Sequence, residues 1–316
     1  MTTARKRNNK LIRSAKGTIL FIFLLSLFFI MLLFSNEIST YVLDGLRLSV
    51  KVILPSVFPF LLISDVLISS SRFGKVHFLK NLFERIFNVC GEALCAFLCG
   101  ILCGFPIGAK MSLELYNNGI ISKCECERLM SFANNASPAY VIFVVGIALR
   151  GSVRDGILLY LIMIFSSLAT GYFIGVNKKK SHNTNFILWQ NYSFTNSIKS
   201  SATVCINICA FITTFAIICG LIKKLIKKTV ACALIMSFLE IGNASLYLSE
   251  LCISHPFYSF VMTAFALSFS GVSVIAQSTS LIGAGNDISI KKHVIYKLLQ
   301  GAIATLFSAS LFPFLK

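Results

Sequence analysis

Backbone-breaking residues inside a long apolar region constrain this chain more than any other feature. Residues 103–110 read CGFPIGAK, so Gly104 and Gly108 bracket Pro106 within an otherwise apolar stretch. Glycine and proline both disfavour a continuous helix, and each unpaired backbone group in hydrocarbon costs several kcal/mol. A second interruption, NNASP at residues 134–138, lies further along. Inside a membrane such breaks are tolerated only where they pack against other protein or line a water-filled cavity. The two breaks therefore predict a packed or water-filled site within the membrane.

The composition indicates the class of protein. Of the 316 residues, 56% are hydrophobic and 13% are charged, and the mean hydropathy is +0.80. Because a soluble domain is far more polar, we predict an all-α polytopic membrane protein. The net charge of +17 is spread among the apolar segments. This spread indicates cytoplasmic loops on anionic lipid and argues against nucleic-acid binding.

The side chains predict neither an enzyme nor a metal or cofactor site. Cys95, Cys99 and Cys103 fall four residues apart, as small apolar residues of a membrane helix do. The chain has no Cys-x-x-Cys pair, the usual half of a zinc site. It also lacks the glycine-rich loop of nucleotide-binding proteins. The histidines lie in or near predicted loops and do not cluster; they are His77, His182, His255 and His293.

The N-terminal part predicts two spans. Residues 1–16 are basic, and the apolar residues 17–35 lack a signal-peptide cleavage site. We therefore expect a retained first span with the N-terminus in the cytoplasm. Residues 37–51 have mixed polarity and predict an interfacial segment. A second span at 52–70 and a basic loop follow.

The next segment predicts a re-entrant hairpin that enters and leaves on the cytoplasmic side. The apolar run 92–103 would rise only about 18 Å as a helix, which is too short to cross. The break at 104–108 then turns the chain back. Ser122 and Glu125 form a capping-box pattern, which predicts the start of the helix that breaks at 134–138.

The rest of the chain predicts a similar order of elements. The broken helix resumes to about residue 149, and a polar loop occupies 177–197. We predict further spans at 154–176, 201–222 and 294–314, a second short hairpin at 230–253 broken at 238–245, and a helix at 257–282 interrupted at 268–271.

The two halves match in the spacing of their breaks. Gly108 and Ser137 are 29 residues apart, and Gly242 and Ser270 are 28 apart. Three predicted spans separate the hairpins, which predicts an inverted repeat of the kind found in many secondary transporters. This topology places the lysines of 223–228 on the non-cytoplasmic side, although basic loops are usually cytoplasmic. The alternative is that one span is miscounted or that the repeat is parallel. We predict a basic N-terminus with the first span at 1–40 and one transport domain at 41–316, with repeats at about 92–176 and 229–316.

Four motifs resemble one known family. They are residues 103–110, the ISKCECERL stretch at 121–129, residues 134–138, and GVSVIAQ at 271–277. Together they resemble the sporulation integral membrane protein YlbJ family over residues 40–316. That family carries the nucleoside-recognition Gate domain and is similar to concentrative nucleoside transporters. The resemblance implies a transport fold with two re-entrant hairpins. It also implies a role in the outer forespore membrane, moving dipicolinic acid from the mother cell toward the forespore.

The first half offers a candidate site for an anion. A break at 134–138 would expose backbone N–H groups at the start of the resumed helix, where anions bind favourably. Asn134 and Asn135 would add amides, with Ser137 as the cap. Alternatively, these amides satisfy the broken backbone. Lys110 is the candidate contact for a carboxylate, unless it simply pairs with Glu114 four residues on.

The second half offers complementary candidates. Glu240 lies at the second hairpin tip, beside Gly242 and Asn243. It could take up a coupling proton or cation or bind a ring nitrogen, or it could be a structural partner of a lysine. Ser270 and Gln277 are our leading candidates at the last break. Such serines also commonly bond their own helix, and Ser268 and Ser273 lie nearby.

These patterns leave three functions open. The first is a transporter for a small anionic aromatic solute, with dipicolinic acid as the solute implied by the resemblance. The second is a nucleoside-type solute transporter of the same architecture. The third is a non-transporting scaffold in spore-envelope assembly. The expected partners are a small anionic solute and anionic lipids; the residues predict no oligomeric state.

Overall fold

A computed structural model gives the fold of this chain. It describes residues 28–69, 77–176, 194–226, 229–282 and 287–314, together with Thr18, residues 21–22 and 25–26, and Lys178. This described part consists of helices and turns, without strands. The basic residues 1–16 lie outside it, as do Lys227 and Lys228, and the predicted first span lies in it only in part.

The helices follow one another with short connections. In chain order they are α1 (Ser35–Leu48), α2 (Leu54–Ser69), α3 (His77–Phe87), α4 (Ala93–Cys103), α5 (Ile107–Asn117), α6 (Lys123–Ala133), α7 (Val153–Gly175), α8 (Phe194–Leu225), α9 (Val230–Leu239), α10 (Ile241–Glu250), α11 (Pro256–Phe269), α12 (Gly271–Ser280) and α13 (Ile290–Leu311). A π-helical turn (Ser49–Ile53) joins α1 to α2, a π-helix (Ala139–Leu149) lies between α6 and α7, and a 3-10 turn (Phe312–Phe314) follows α13.

Four helical stretches of the described part are long and apolar enough to cross a membrane. They are Val153–Gly175, Phe194–Leu225, Pro256–Ser280 and Ile290–Phe314. Each contains or nearly coincides with a predicted span, and the all-α polytopic class is confirmed. The second one starts at Phe194, so the predicted loop at 177–197 is shorter than expected.

All four predicted interruptions are present. The helices α4 and α5 form the first hairpin, with Gly104 to Pro106 between them. The helices α9 and α10 form the second, with Glu240 alone between them. Residues 134–137 separate α6 from the π-helix. Ser270 separates α11 from α12, with a left-handed φ of 77°.

The segment 37–51 differs from the prediction. It is helical, and α1 packs antiparallel on α8 rather than standing alone at an interface. Glu37 pairs with Lys224, the Tyr41 ring covers Gly220, and Gly45 touches Thr213. A Cβ atom at Gly45 would lie 2.8 Å from the Thr213 Cα. The glycine therefore lets the two backbones approach, and the mixed polarity reflects one face packed on α8.

The open ends of the two hairpins lie at opposite ends of α7. At its last residue, the Gly175 carbonyl accepts a hydrogen bond from Asn88, just before the first hairpin. Near its start, Arg150 pairs with Asp155 and donates to Ser259. Ser259 in turn donates to the Leu248 carbonyl near the end of the second hairpin. Because 23 residues of helix span about 34 Å, the hairpins enter the bundle from opposite sides.

A cluster of phenylalanines anchors the first hairpin. Phe83 of α3, Phe97 of α4 and Phe132 of α6 pack with Phe87, and their ring centroids lie 4.5–6.5 Å apart. All four side chains are buried. The cluster therefore holds α3 and the hairpin against the last turn of α6, directly before the break at 134–138.

Candidate solute-binding site

A cavity of about 70 Å³ lies between the two hairpin tips and the break at 134–138. The first hairpin contributes Gly104 and Phe105, and the second contributes Glu240 and Gly242. The break at 134–138 contributes Ser137, and α12, which follows the last break, contributes Gln277. Pockets that hold small organic ligands usually measure about 300–1,000 Å³. In this conformation the cavity therefore has room for water but not for an aromatic dicarboxylate.

Three glycines seat the first hairpin on the broken helix. A Cβ at Gly100 would lie 1.8 Å from the Ala133 carbonyl oxygen, and one at Gly108 would lie 2.2 Å from the same atom. At the tip, a Cβ on Gly104 would lie 2.9 Å from the Ser137 backbone nitrogen, and its φ is 90°. The absence of side chains at these positions lets α4 and α5 contact the backbone of 133–137 directly.

The Asn135 side chain binds the broken backbone and its neighbours. Its Nδ2 donates to the Phe132 carbonyl at 2.8 Å and to the Ser167 hydroxyl at 3.2 Å. Its Oδ1 accepts from Gln300 Nε2 at 2.8 Å. The structure thus shows the arrangement in which this amide satisfies the break, one of the two alternatives left open above.

Asn134 is less completely bonded. Its Nδ2 donates to Ser278 Oγ at 2.8 Å, and its backbone carbonyl accepts from Lys297 Nζ at 2.9 Å. Its Oδ1 is buried without a hydrogen-bond partner in the described part of the chain. Unsatisfied buried acceptors are uncommon in native structures, so this oxygen marks a polar position without a protein partner behind the cavity.

Ser137 caps the resumed helix, as the sequence predicts. Pro138 is its first helical residue, and the Ser137 hydroxyl accepts from the Tyr140 amide at 3.2 Å. The Tyr140 hydroxyl reaches across to the second hairpin, donating to the Ile241 carbonyl at 3.4 Å. The second break and the second hairpin tip are therefore linked across the cavity wall.

Glu240 caps its own helix instead of pairing with a lysine. It is 3% exposed, and its carboxylate accepts from the Gly242 amide at 2.8 Å and the Asn243 amide at 2.6 Å. The Asn243 side chain donates to the same carboxylate at 2.9 Å. No lysine among the described residues lies within 4.0 Å of it. The negative charge at this wall is thus balanced by the partial positive charge of the α10 N-terminus.

Of the remaining predicted residues, only Gln277 lies on the wall of the cavity. Lys110 is buried and faces Glu114 at 3.8 Å, the simpler of its two predicted roles. The Ser270 hydroxyl donates weakly to the Ser268 carbonyl at 3.5 Å. Gln277 lines the cavity and donates to Ser273 at 3.4 Å. The predicted residues away from the wall are Lys110, Asn134, Asn135, Asn243 and Ser270, with Pro106 and Gly108 of the first hairpin.

Sequence reasoning missed the polar side of α13. Lys297 and Gln300 are buried and bond to the break at 134–138. His293, expected near a loop, is buried in the first turn of α13 with Nδ1 3.1 Å from Ser131 Oγ. An ionisable residue inside an apolar span is a functional hypothesis by default. Lys297 carried that signal in the predicted span 294–314.

No His, Cys, Asp or Glu cluster suited to a metal ion occurs within the described ranges. The eleven cysteines are all free thiols. Residues of this site that could hold a ligand are therefore backbone groups, amides, hydroxyls and the two charged side chains Glu240 and Lys297.

Comparison with known proteins confirms the resemblance to the YlbJ family. The chain is 25% identical over 309 aligned positions to the sporulation integral membrane protein YlbJ of Bacillus subtilis (strain 168). The alignment covers 83% of this chain and 74% of that protein. No family profile matches the chain. No solved structure matches it either.

Proposed function

We propose that this relative of YlbJ is a sporulation membrane protein that transports a small anionic aromatic solute. Dipicolinic acid is the solute we infer, carried across the outer forespore membrane from the mother cell. The relative's name supports the sporulation role, and the candidate membrane-crossing helices support a multi-pass protein. We place the N-terminus in the cytoplasm and expect anionic lipid around the basic loops.

One observation supports the transport proposal: three backbone interruptions, together with the helix α12 that follows the fourth, line a single cavity. The two hairpins reach it from opposite ends of α7. Paired interrupted segments that meet near the midplane are typical of secondary transporters with inverted repeats. We therefore propose that the halves at about 92–176 and 229–316 form such a repeat, with the cavity as the solute site, which widens during transport.

The chemistry of the cavity suits an anion that also carries an aromatic ring. The π-helix starts beside Ser137 on the cavity wall, and the positive end of a helix dipole attracts carboxylates. Phe105 and Tyr140 supply aromatic surface on the wall. Gln277 can donate to or accept from a ring nitrogen. A dicarboxylate of a pyridine ring would use all of these groups.

Uptake of labelled dipicolinate into proteoliposomes of the purified full chain tests this proposal. We compare Gln277→Ala, on the cavity wall, with Val272→Ala, which is exposed on the same helix. Loss of one hydrogen bond, worth about 0.5–1.5 kcal/mol, should lower uptake by Gln277→Ala roughly two- to tenfold. Uptake by Val272→Ala should stay near that of the unmodified protein.

The alternatives give different results in the same assay. Saturable uptake of labelled uridine that unlabelled dipicolinate does not inhibit would support a nucleoside-type transporter. A well-folded protein that moves neither solute would refute transport and support a scaffold.

A further inference from the structure

Lys297 is a buried cation directly behind the cavity. Its side chain lies on α13 and is 1% exposed. Its Nζ donates to the Asn134 carbonyl at 2.9 Å and to Gln300 Oε1 at 2.8 Å. The same Nζ lies 5.8 Å from the centroid of the Phe105 ring, and Phe105 lines the cavity. The Phe105 ring therefore faces Lys297 and also lines the cavity.

The charge of Lys297 is not compensated by a carboxylate. Within the described residues, none lies within 4.0 Å of Nζ, and both of its hydrogen-bond acceptors are neutral. An ammonium has three N–H donors, of which these contacts use two. Because burying an unpaired charge is costly, its position needs an explanation beyond packing. Bonding to Asn134 alone would need a polar donor but no charge.

We propose that Lys297 neutralises a carboxylate of the transported solute, which reaches Nζ when the Phe105 ring turns aside. The two hydrogen bonds of Nζ leave its third N–H donor for a ligand. That donor would give a carboxylate a charge-assisted hydrogen bond. The cavity wall also carries Glu240, whose charge its own helix start already balances. This inference rests on the proposed function and assigns the group that makes the site prefer an anion.

The test separates charge from hydrogen bonding. Lys297→Gln removes the charge and retains a donor for the Asn134 carbonyl. Lys291→Gln removes one exposed positive charge from the same helix and is the matched control. Gln300→Glu keeps an acceptor beside Nζ and supplies an internal counter-ion, which covers the case in which Lys297→Gln does not fold. It also removes the Nε2 donor to Asn135 Oδ1, and binding of the neutral dicarboxamide measures the effect of that loss. Each purified full-length protein is titrated with pyridine-2,6-dicarboxylate and with neutral pyridine-2,6-dicarboxamide, with thermal unfolding as the readout.

We expect Lys297→Gln and Gln300→Glu to bind the dicarboxylate about 10- to 100-fold more weakly, since a charge-assisted hydrogen bond is lost. Binding of the dicarboxamide should change less than threefold, and Lys291→Gln should match the unmodified protein. Unchanged dicarboxylate affinity in either Lys297→Gln or Gln300→Glu would show that Lys297 is only a helix cap and overturn the inference. If the unmodified protein binds neither pyridine compound and transports no dipicolinate, the proposed function itself fails and this inference falls with it.

Discussion

The two hairpins reach the same cavity with different chemistry. The first is held backbone to backbone, with Gly100 and Gly108 against the Ala133 carbonyl. The second has a tip of one residue, Glu240, whose carboxylate is satisfied by its own helix. Moving the first hairpin would unpack a close backbone contact. Moving the second hairpin would leave the hydrogen bonds of Glu240 intact, because they lie within that hairpin. We therefore expect the second hairpin to be the part that opens.

The largest expected effect comes from adding one methyl group to the first hairpin. Gly108→Ala would place a Cβ 2.2 Å from the Ala133 oxygen. Because that atom is backbone, we expect a destabilisation of about 3 kcal/mol or more, at the upper end of overpacking effects. The apparent melting temperature in detergent, followed by the reaction of the free cysteines with a thiol dye, measures this change.

The matched variant on the second hairpin is Gly242→Ala. Its Cβ would lie 3.2 Å from Glu240 Oε2 and from the end of the Leu48 side chain. These are side-chain atoms that can shift, so we expect a change below about 1 kcal/mol. Equal losses in Gly108→Ala and Gly242→Ala would remove the distinction between the two hairpins.

An effect smaller than that of Gly108→Ala is expected from removing the cap of the second hairpin. Glu240→Ala leaves the Gly242 and Asn243 amides without their acceptor, and losing such a cap costs about 0.5–2 kcal/mol. Glu240→Gln keeps one side-chain oxygen as acceptor and should lose less stability. Thermal unfolding of both variants measures the cap, and dipicolinate uptake measures any role of the charge.

Glu240→Ala and Glu240→Gln together distinguish a structural role of the carboxylate from a role in transport. If Glu240→Gln is nearly as stable as the unmodified protein but transports poorly, the carboxylate acts in the transport cycle. If stability and uptake fall in parallel, Glu240 only holds the hairpin together.

The smallest effect concerns an exposed ion pair at the open end of the first hairpin. Lys123 donates to Asp287, which holds the pKa of this carboxyl below its ordinary value of 3.8. Because the folded-state pKa is the lower one, the stabilisation is present above pH 3.8 and is lost as the pH falls through the folded value. Asp287→Asn should therefore lower the melting temperature slightly and equally from pH 5 to 8.

Acidification tests the assignment. Below pH 3.8 the difference between Asp287→Asn and the unmodified protein should shrink toward zero. A difference that grows on acidification would mean that another group titrates at this end.

Local sequence signals predicted the interruptions. The polar network around them depends on tertiary contacts, which local signals do not predict. Proline and glycine at 104–108 and the Ser122–Glu125 capping box act within a few residues, and both are present in the structure. Lys297 bonds to Asn134 across 163 positions of sequence, and no local pattern specifies that pair. The helical packing of 37–51 on α8 was missed for the same reason, since its partner lies far along the chain.

The glycine contacts that pack the first hairpin against Ala133 can also guide a search for distant proteins with this fold. The Ala133 carbonyl leaves no space for a Cβ atom at Gly100 or Gly108. These two glycines are eight positions apart, with a proline between them. A sequence search based on that spacing, rather than on overall identity, should find chains with the same packed hairpin even where most other residues differ.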